Sequence, residues 1–155
     1  MIKVLERPAL TVVGMAIHTQ PRSAEIPALW PKFVARMSEI QDLQEPRVSY
    51  GVMQYRQGAP APLFYMAAVS VSSDERVPSG MESLVLAAGR YALVRYPLSG
   101  LGEGFGEIFN RLLPSSEYQQ AAGPYFERYD EEFDPGNPAS IVEIYLPVRA
   151  RTPGR

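Results

Sequence analysis

Apolar residues recur along this chain with two periods, and the places where the period changes divide it into elements. Leu10-Thr11-Val12-Val13-Gly14-Met15-Ala16-Ile17 is short and rich in β-branched residues, lies between Pro8 and Pro21, and predicts a buried strand. From Ile26 the spacing becomes helical. Leu29, Trp30, Phe33, Met37 and Ile40 fall on one stripe, which predicts an amphipathic helix ending before Pro46. Pro27 and Pro31 are expected in or before its first turn, where a missing N–H costs little. Strands follow at 48–55 and 63–71, separated by the turn signal Gln57-Gly58-Ala59-Pro60.

The second half repeats this order. Residues 90–96 read as a strand, and Phe105, Ile108, Phe109, Leu112 and Leu113 mark a helix stopped by Pro114. Strands 125–129 and 141–148 are expected to form a hairpin over a loop containing Asp134-Pro135-Gly136-Asn137-Pro138. Between the halves, 77–81 reads as a turn and 82–88 as one more extended segment, and the tail 149–155 is expected to fray. Each half is thus strand, helix, strand, strand. The prediction is one α+β domain over 1–155, built from two βαββ units at about 6–75 and 80–148. Their strands would join into one antiparallel sheet with two helices and a central cleft between the halves.

Period-2 reading places chemistry on the last two strands. Tyr125, Glu127 and Tyr129 share one face of the first, and Ile141, Glu143 and Tyr145 share one face of the second. If those faces coincide, acids and aromatics share a surface. A carboxylate among aromatic rings suits a flat or cationic organic molecule, because charge attraction and the ring quadrupole act together.

Composition narrows the alternatives. Fifteen Lys and Arg against 17 Asp and Glu give a net charge of −2, and no basic run tracks a phosphate backbone, so direct nucleic-acid binding is disfavoured. The absence of cysteine removes disulfides, thiolate metal sites and a Cys nucleophile, and suits a reducing cytoplasm. No 18-residue apolar run and no signal-peptide core occur, so the chain reads as cytoplasmic, with no membrane contact. The single histidine, His18, lacks clustered partners, which leaves no metal site and no role for it. Gly100-Leu101-Gly102-Glu103-Gly104-Phe105-Gly106 has neither the spacing nor the lysine of a phosphate loop, so no nucleotide cofactor is expected. It reads instead as a flexible entry to the second helix, able to let a cleft wall move.

Several spans taken together carry a resemblance: Glu6-Arg7-Pro8-Ala9 leading into Val12-Val13-Gly14, Leu29-Trp30 with Phe33, Ser49-Tyr50-Gly51-Val52, Pro78-Ser79-Gly80-Met81, Ala88-Gly89-Arg90-Tyr91-Ala92, Gly123-Pro124-Tyr125-Phe126-Glu127 and Glu143-Ile144-Tyr145-Leu146-Pro147-Val148. In this order and spacing the chain resembles the GyrI-like small-molecule-binding family, the effector-binding domain of AraC-type and multidrug-sensing transcription regulators. The resemblance implies the duplicated βαββ fold and a cavity whose acid pairs with cationic ligands. It carries Glu127 over as that acid, with Glu143 as a second.

The family is split in function. Some members carry a DNA-reading helix-turn-helix, for which this chain has neither length nor charge, so it reads as a stand-alone version. Others resemble a gyrase inhibitor acting through protein contact. A further group hydrolyses strained cyclopropane-containing compounds with a cavity Trp and Glu; here Glu127 would be the catalytic residue, but the second helix offers Phe105 where such a Trp is expected.

The expected function is capture of an amphipathic, aromatic, often cationic small molecule, with such a hydrolase or a gyrase-type or regulator partner as alternatives. A buried Glu127 would need hydroxyl donors, and Tyr50, Tyr65, Tyr91, Tyr129 and Tyr145 are the candidates. Trp30 and Phe105 have two readings, core packing and cavity wall. Met53, Met66 and Met81 would give an adaptable lining.

Overall fold

The computed structural model describes residues 2–56 and 61–152, and among these the two periods resolve into nine strands and two helices. The strands are β1 Lys3–Arg7, β2 Leu10–Thr19, β3 Ser49–Tyr55, β4 Leu63–Val71, β5 Glu82–Leu86, β6 Gly89–Pro97, β7 Tyr118–Gln120, β8 Tyr125–Tyr129 and β9 Ile141–Ala150. Helix α1 spans Glu25–Arg36 and α2 spans Leu101–Glu107, the latter continued by a π-helical turn over Ile108–Leu112.

All the pairings are antiparallel. The strand order is β1-β6-β9-β8-β3-β4-β2-β5, with β7 alongside the far end of β9. This order is symmetric about the β8–β3 boundary: β8, β9 and β6 run outward on one side as β3, β4 and β2 do on the other. Each unit is therefore strand, helix, strand, strand, in agreement with the α+β expectation.

Two strands change places. β1 precedes β2 in the chain but pairs with β6, and β5 precedes β6 but pairs with β2. Only Pro8 and Ala9 separate β1 from β2, a reach of about 10 Å. Strands at opposite ends of the order must then lie close together, so the sheet curls. The curl leaves two cores. On the helix-covered face, Leu29 and Phe33 of α1 and Ile108 after α2 pack with Val13, Val69 and Ile144. On the other face Val12, Tyr50, Val52, Phe64, Met66, Leu93 and Phe126 are buried with no helix over them, because the sheet folds around them. β4 lies near the middle of the order and is buried along its whole length, which accounts for its unbroken apolar run.

Several boundaries differ from expectation. β1 was not foreseen, because five residues of mixed charge give no clean alternation, and β7 has only three residues. Pro27 is in the first turn of α1, but Pro31 is inside the helix. Helix α1 stops at Arg36, a 3-10 turn covers Met37–Glu39, and Ile40 is extended although buried. The second helix begins four residues before Phe105. Arg149 and Ala150 do not fray: they pair with Gln119 and Tyr118, and the Arg151 guanidinium donates to the carbonyls of Leu113 and Ser116. The turn expected at 57–60 and the last three residues of the tail lie outside the described residues. No helix among the described residues is long and apolar enough to cross a membrane.

Candidate functional site

Helix α1 lies over the β2–β4 half and α2 over the β6 half, and between them the sheet floor is left open. The result is a cavity of about 1090 Å3. Ile26, Trp30, Val34 and Met37 wall one side, and Leu101, Phe105 and Phe109 wall the other. Met53, Tyr55, Leu63, Tyr65, Tyr125, Glu127 and Tyr129 form the floor. Exposed Arg22, Val34 and Tyr55 mark the rim. A lining this aromatic and this sparing of charge is that of an organic-ligand site.

Glu127 is the acid in that lining. Alternation along β8 sends Tyr125, Glu127 and Tyr129 to the helix side and Phe126 and Arg128 to the other. Register then sets Glu127 opposite Gly51 of β3 and Ile144 of β9. Gly51 is what makes room for it. A Cβ there would lie 2.5 Å from the Tyr65 hydroxyl and 2.8 Å from Glu127 Oε1.

Glu127 is only 6% exposed, and among the described residues no Lys, Arg or His forms an ion pair with it. The Tyr129 hydroxyl donates to Glu127 Oε1, and Trp30 Nε1–H donates to the Tyr65 hydroxyl at 2.9 Å. Burial pushes the Glu127 carboxyl up to about 7, and the single Tyr129 hydrogen bond only partly offsets it. The tyrosines respond in the same sense. Burial first, and the Glu127 charge second, raise Tyr65 and Tyr129 far above the usual phenol range. Both stay protonated donors.

The aromatic rings are held edge to face. Trp30 meets Tyr129 at 5.5 Å between centroids, and Phe105 and Phe109 meet Tyr125 at 6.1 and 6.0 Å. Such contacts fix the planes of rings that line the cavity. Among the described residues no three His, Cys, Asp or Glu side chains converge as metal ligands.

Of the residues singled out from sequence, Glu127, Trp30, Tyr65, Phe105 and Tyr129 come together around this cavity. Glu143, Tyr50, Tyr91 and Tyr145 do not. The expectation that Glu127 and Glu143 share a surface is corrected by the register: Glu143 pairs with Arg128 across the ladder, while Glu127 pairs with Ile144. Glu143 therefore faces the opposite side of the sheet, where Arg128 Nη1 and Arg95 Nη2 each donate to it at 2.9 Å.

Tyr50 and Tyr145 follow it there. The Tyr50 hydroxyl donates to Glu45 at 2.6 Å, while Phe126 and Tyr145 stack beneath the Arg7 guanidinium, which lies 4.4 Å above the Tyr145 ring. The Tyr91 hydroxyl donates to the Ala87 carbonyl at 2.6 Å. Glu45 shows the contrast with Glu127. Burial opposes its charge, but hydrogen bonds from Tyr50, Ser70 and Arg128 outweigh burial and hold it below the usual carboxylate range. Met53 lines the cavity; Met66 and Met81 are buried in the cores instead.

Tyr125, placed from sequence on the face of Glu127, and Phe109, placed on the stripe of Phe105 one helical turn on, line the cavity as well, although neither was singled out as a ligand contact. Gly51, which makes room for the Tyr65 hydroxyl and Glu127, gave no such signal, because its role appears only across two strands.

Comparison with known proteins gives one family. A profile of the GyrI-like small molecule binding domain matches residues 1–149. The chain is 33% identical over 149 residues to the transcriptional regulator BrlR of Pseudomonas aeruginosa. That match covers 94% of this chain and 54% of BrlR, so the chain spans about half the length of this relative. Among solved structures, SAV2435 bound to tetraphenylphosphonium superposes with a TM-score of 0.76 at 18% identity, covering 96% of this chain and 94% of that one. A putative bacterial transcription regulation protein from Staphylococcus aureus MU50 gives 0.74 at 18%, covering 97% and 99%. At that identity the likeness is one of fold.

Proposed function

This chain belongs to the GyrI-like small-molecule-binding family, and we propose that its helix-face cavity captures aromatic organic cations, with Glu127 as the counter-charge. The observation that carries this reading is the buried Glu127 carboxyl at the floor of an apolar cavity, hydrogen-bonded to Tyr129 but with no cationic partner among the described residues. Ionised without a counter-charge, such a buried group is costly by several kcal/mol. A cationic ligand supplies the missing partner. Ring faces of Trp30, Phe105 and Tyr129 add cation–π attraction, about 0.5–2 kcal/mol for each well-placed ring. Burial of the ligand's apolar surface adds about 25 cal/mol per Å2 before association costs.

The fold relative bound to tetraphenylphosphonium supports a ligand of that class, and the similarity to BrlR supports a place for capture in effector sensing. Trp30 is the only tryptophan and walls the cavity, so its emission reports occupancy. Wild type and Glu127→Gln are titrated with tetraphenylphosphonium and with neutral triphenylphosphine oxide. Saturable binding that prefers the cation, with that preference lost in Glu127→Gln, is expected. Equal loss for both ligands in the variant, or no saturable binding in wild type, overturns the assignment.

A further inference from the structure

An acid buried without a cation and a ligand that is itself a cation cannot both keep their resting charge states in one small apolar space. Around Glu127, Tyr125 and Tyr129 on its own strand, Tyr65 on β4 and Trp30 on α1 are all neutral donors or rings. β3 presents Gly51, β9 presents Ile144, and α2 presents Phe105 and Phe109. Arg128, next in sequence, points to the opposite face and is held by Glu45 and Glu143. The lining's guanidinium, Arg22, is exposed at the rim after β2.

Among the described residues no neighbouring charge therefore holds the carboxylate ionised. Resting on the cation reading above, we propose that capture of a permanently charged organic cation expels one proton from Glu127 to solvent, so that the cavity is a cation–proton exchange site.

The balance is simple. The carboxyl O–H bond breaks, the proton goes to buffer, and the carboxylate left behind pairs with the incoming cation, so cavity and ligand together become neutral. The upward displacement of Glu127 by burial agrees with this and places the transition near neutral pH. A neutral amine ligand differs, because it can take the same proton and release none. The site would thus distinguish fixed cations from weak bases by what each does to pH.

The test uses the whole chain and tetraphenylphosphonium in isothermal titration calorimetry at about pH 6, in two buffers of different ionisation enthalpy, repeated across pH. By linkage, close to one proton should leave per ligand at about pH 6, and as pH rises Kd should fall about tenfold per unit up to about pH 7 and level off above about pH 8. Glu127→Gln should bind more weakly, with no buffer dependence and a flat pH profile. Saturable binding in wild type with no proton release and a flat profile overturns the exchange while leaving the cation reading intact. Absence of binding at every pH overturns both.

Discussion

Replacing Glu127 by Gln should stabilise the unliganded protein at alkaline pH while leaving it almost unchanged at acid pH. The carboxyl ordinarily titrates at 4.5, and burial raises it to about 7 in the folded chain. The unfolded chain has lost this proton by about pH 5.5, whereas the folded chain keeps it until about pH 7. Over that window the folded state binds more protons than the unfolded one, so rising pH costs stability. The loss is complete above about pH 8 and amounts to as much as about 3 kcal/mol. Gln has nearly the same shape, still accepts from Tyr129, and carries no charge to desolvate. The other titrating groups are common to both proteins and cancel in the difference.

Urea unfolding, followed by Trp30 emission at about pH 5 and about pH 8.5, measures that difference directly. The variant should gain up to about 3 kcal/mol over wild type at the higher pH and close to nothing at the lower. A variant that is less stable than wild type at about pH 8.5, or displaced equally at both pH values, would refute the claim that Glu127 is desolvated without a counter-charge.

Gly51→Ala should push Tyr65 and Glu127 off the floor and destabilise the fold by about 1–3 kcal/mol; thermal unfolding and the tetraphenylphosphonium titration check this together. Gly102→Ala and Gly106→Ala, where an added Cβ meets at most Asn110 Nδ2 at 4.0 Å, should each gain about 0.5–1 kcal/mol in urea unfolding and, by stiffening the α2 wall, narrow the range of ligand sizes bound. Glu143→Ala leaves Arg128 and Arg95 without this partner and should cost about 2–4 kcal/mol in unfolding, yet it should not alter cation preference, because it acts on the opposite face.

The two acids mark how far the sequence revealed these positions. Alternation within β8 put Tyr125, Glu127 and Tyr129 on one face, and alternation within β9 put Ile141, Glu143 and Tyr145 on one face, and the ladder agrees with both. What alternation cannot supply is the phase between two strands, since a slip of one residue exchanges all the faces. Glu127 falls opposite Ile144, and the two acids part. The same holds for Tyr50, whose parity on β3 places it with Val52 on the helix-free face, while Met53 lines the cavity and Gly51 faces Tyr65 and Glu127. The helix stripe was legible through Leu29 and Phe33, and the bounds of β4 and β8 were too. The exchange of β1 and β5 between halves was not, because edge pairing depends on how the sheet curls and not on any local pattern.

The most direct measurement is a structure of the protein with tetraphenylphosphonium bound. The account predicts the cation between α1 and α2, its charged centre beside Glu127 and within about 6 Å of the Trp30 or Phe105 ring. A ligand seated on the opposite face of the sheet beside Glu45 and Arg128, or lying at the rim with Glu127 left unpaired, would contradict it.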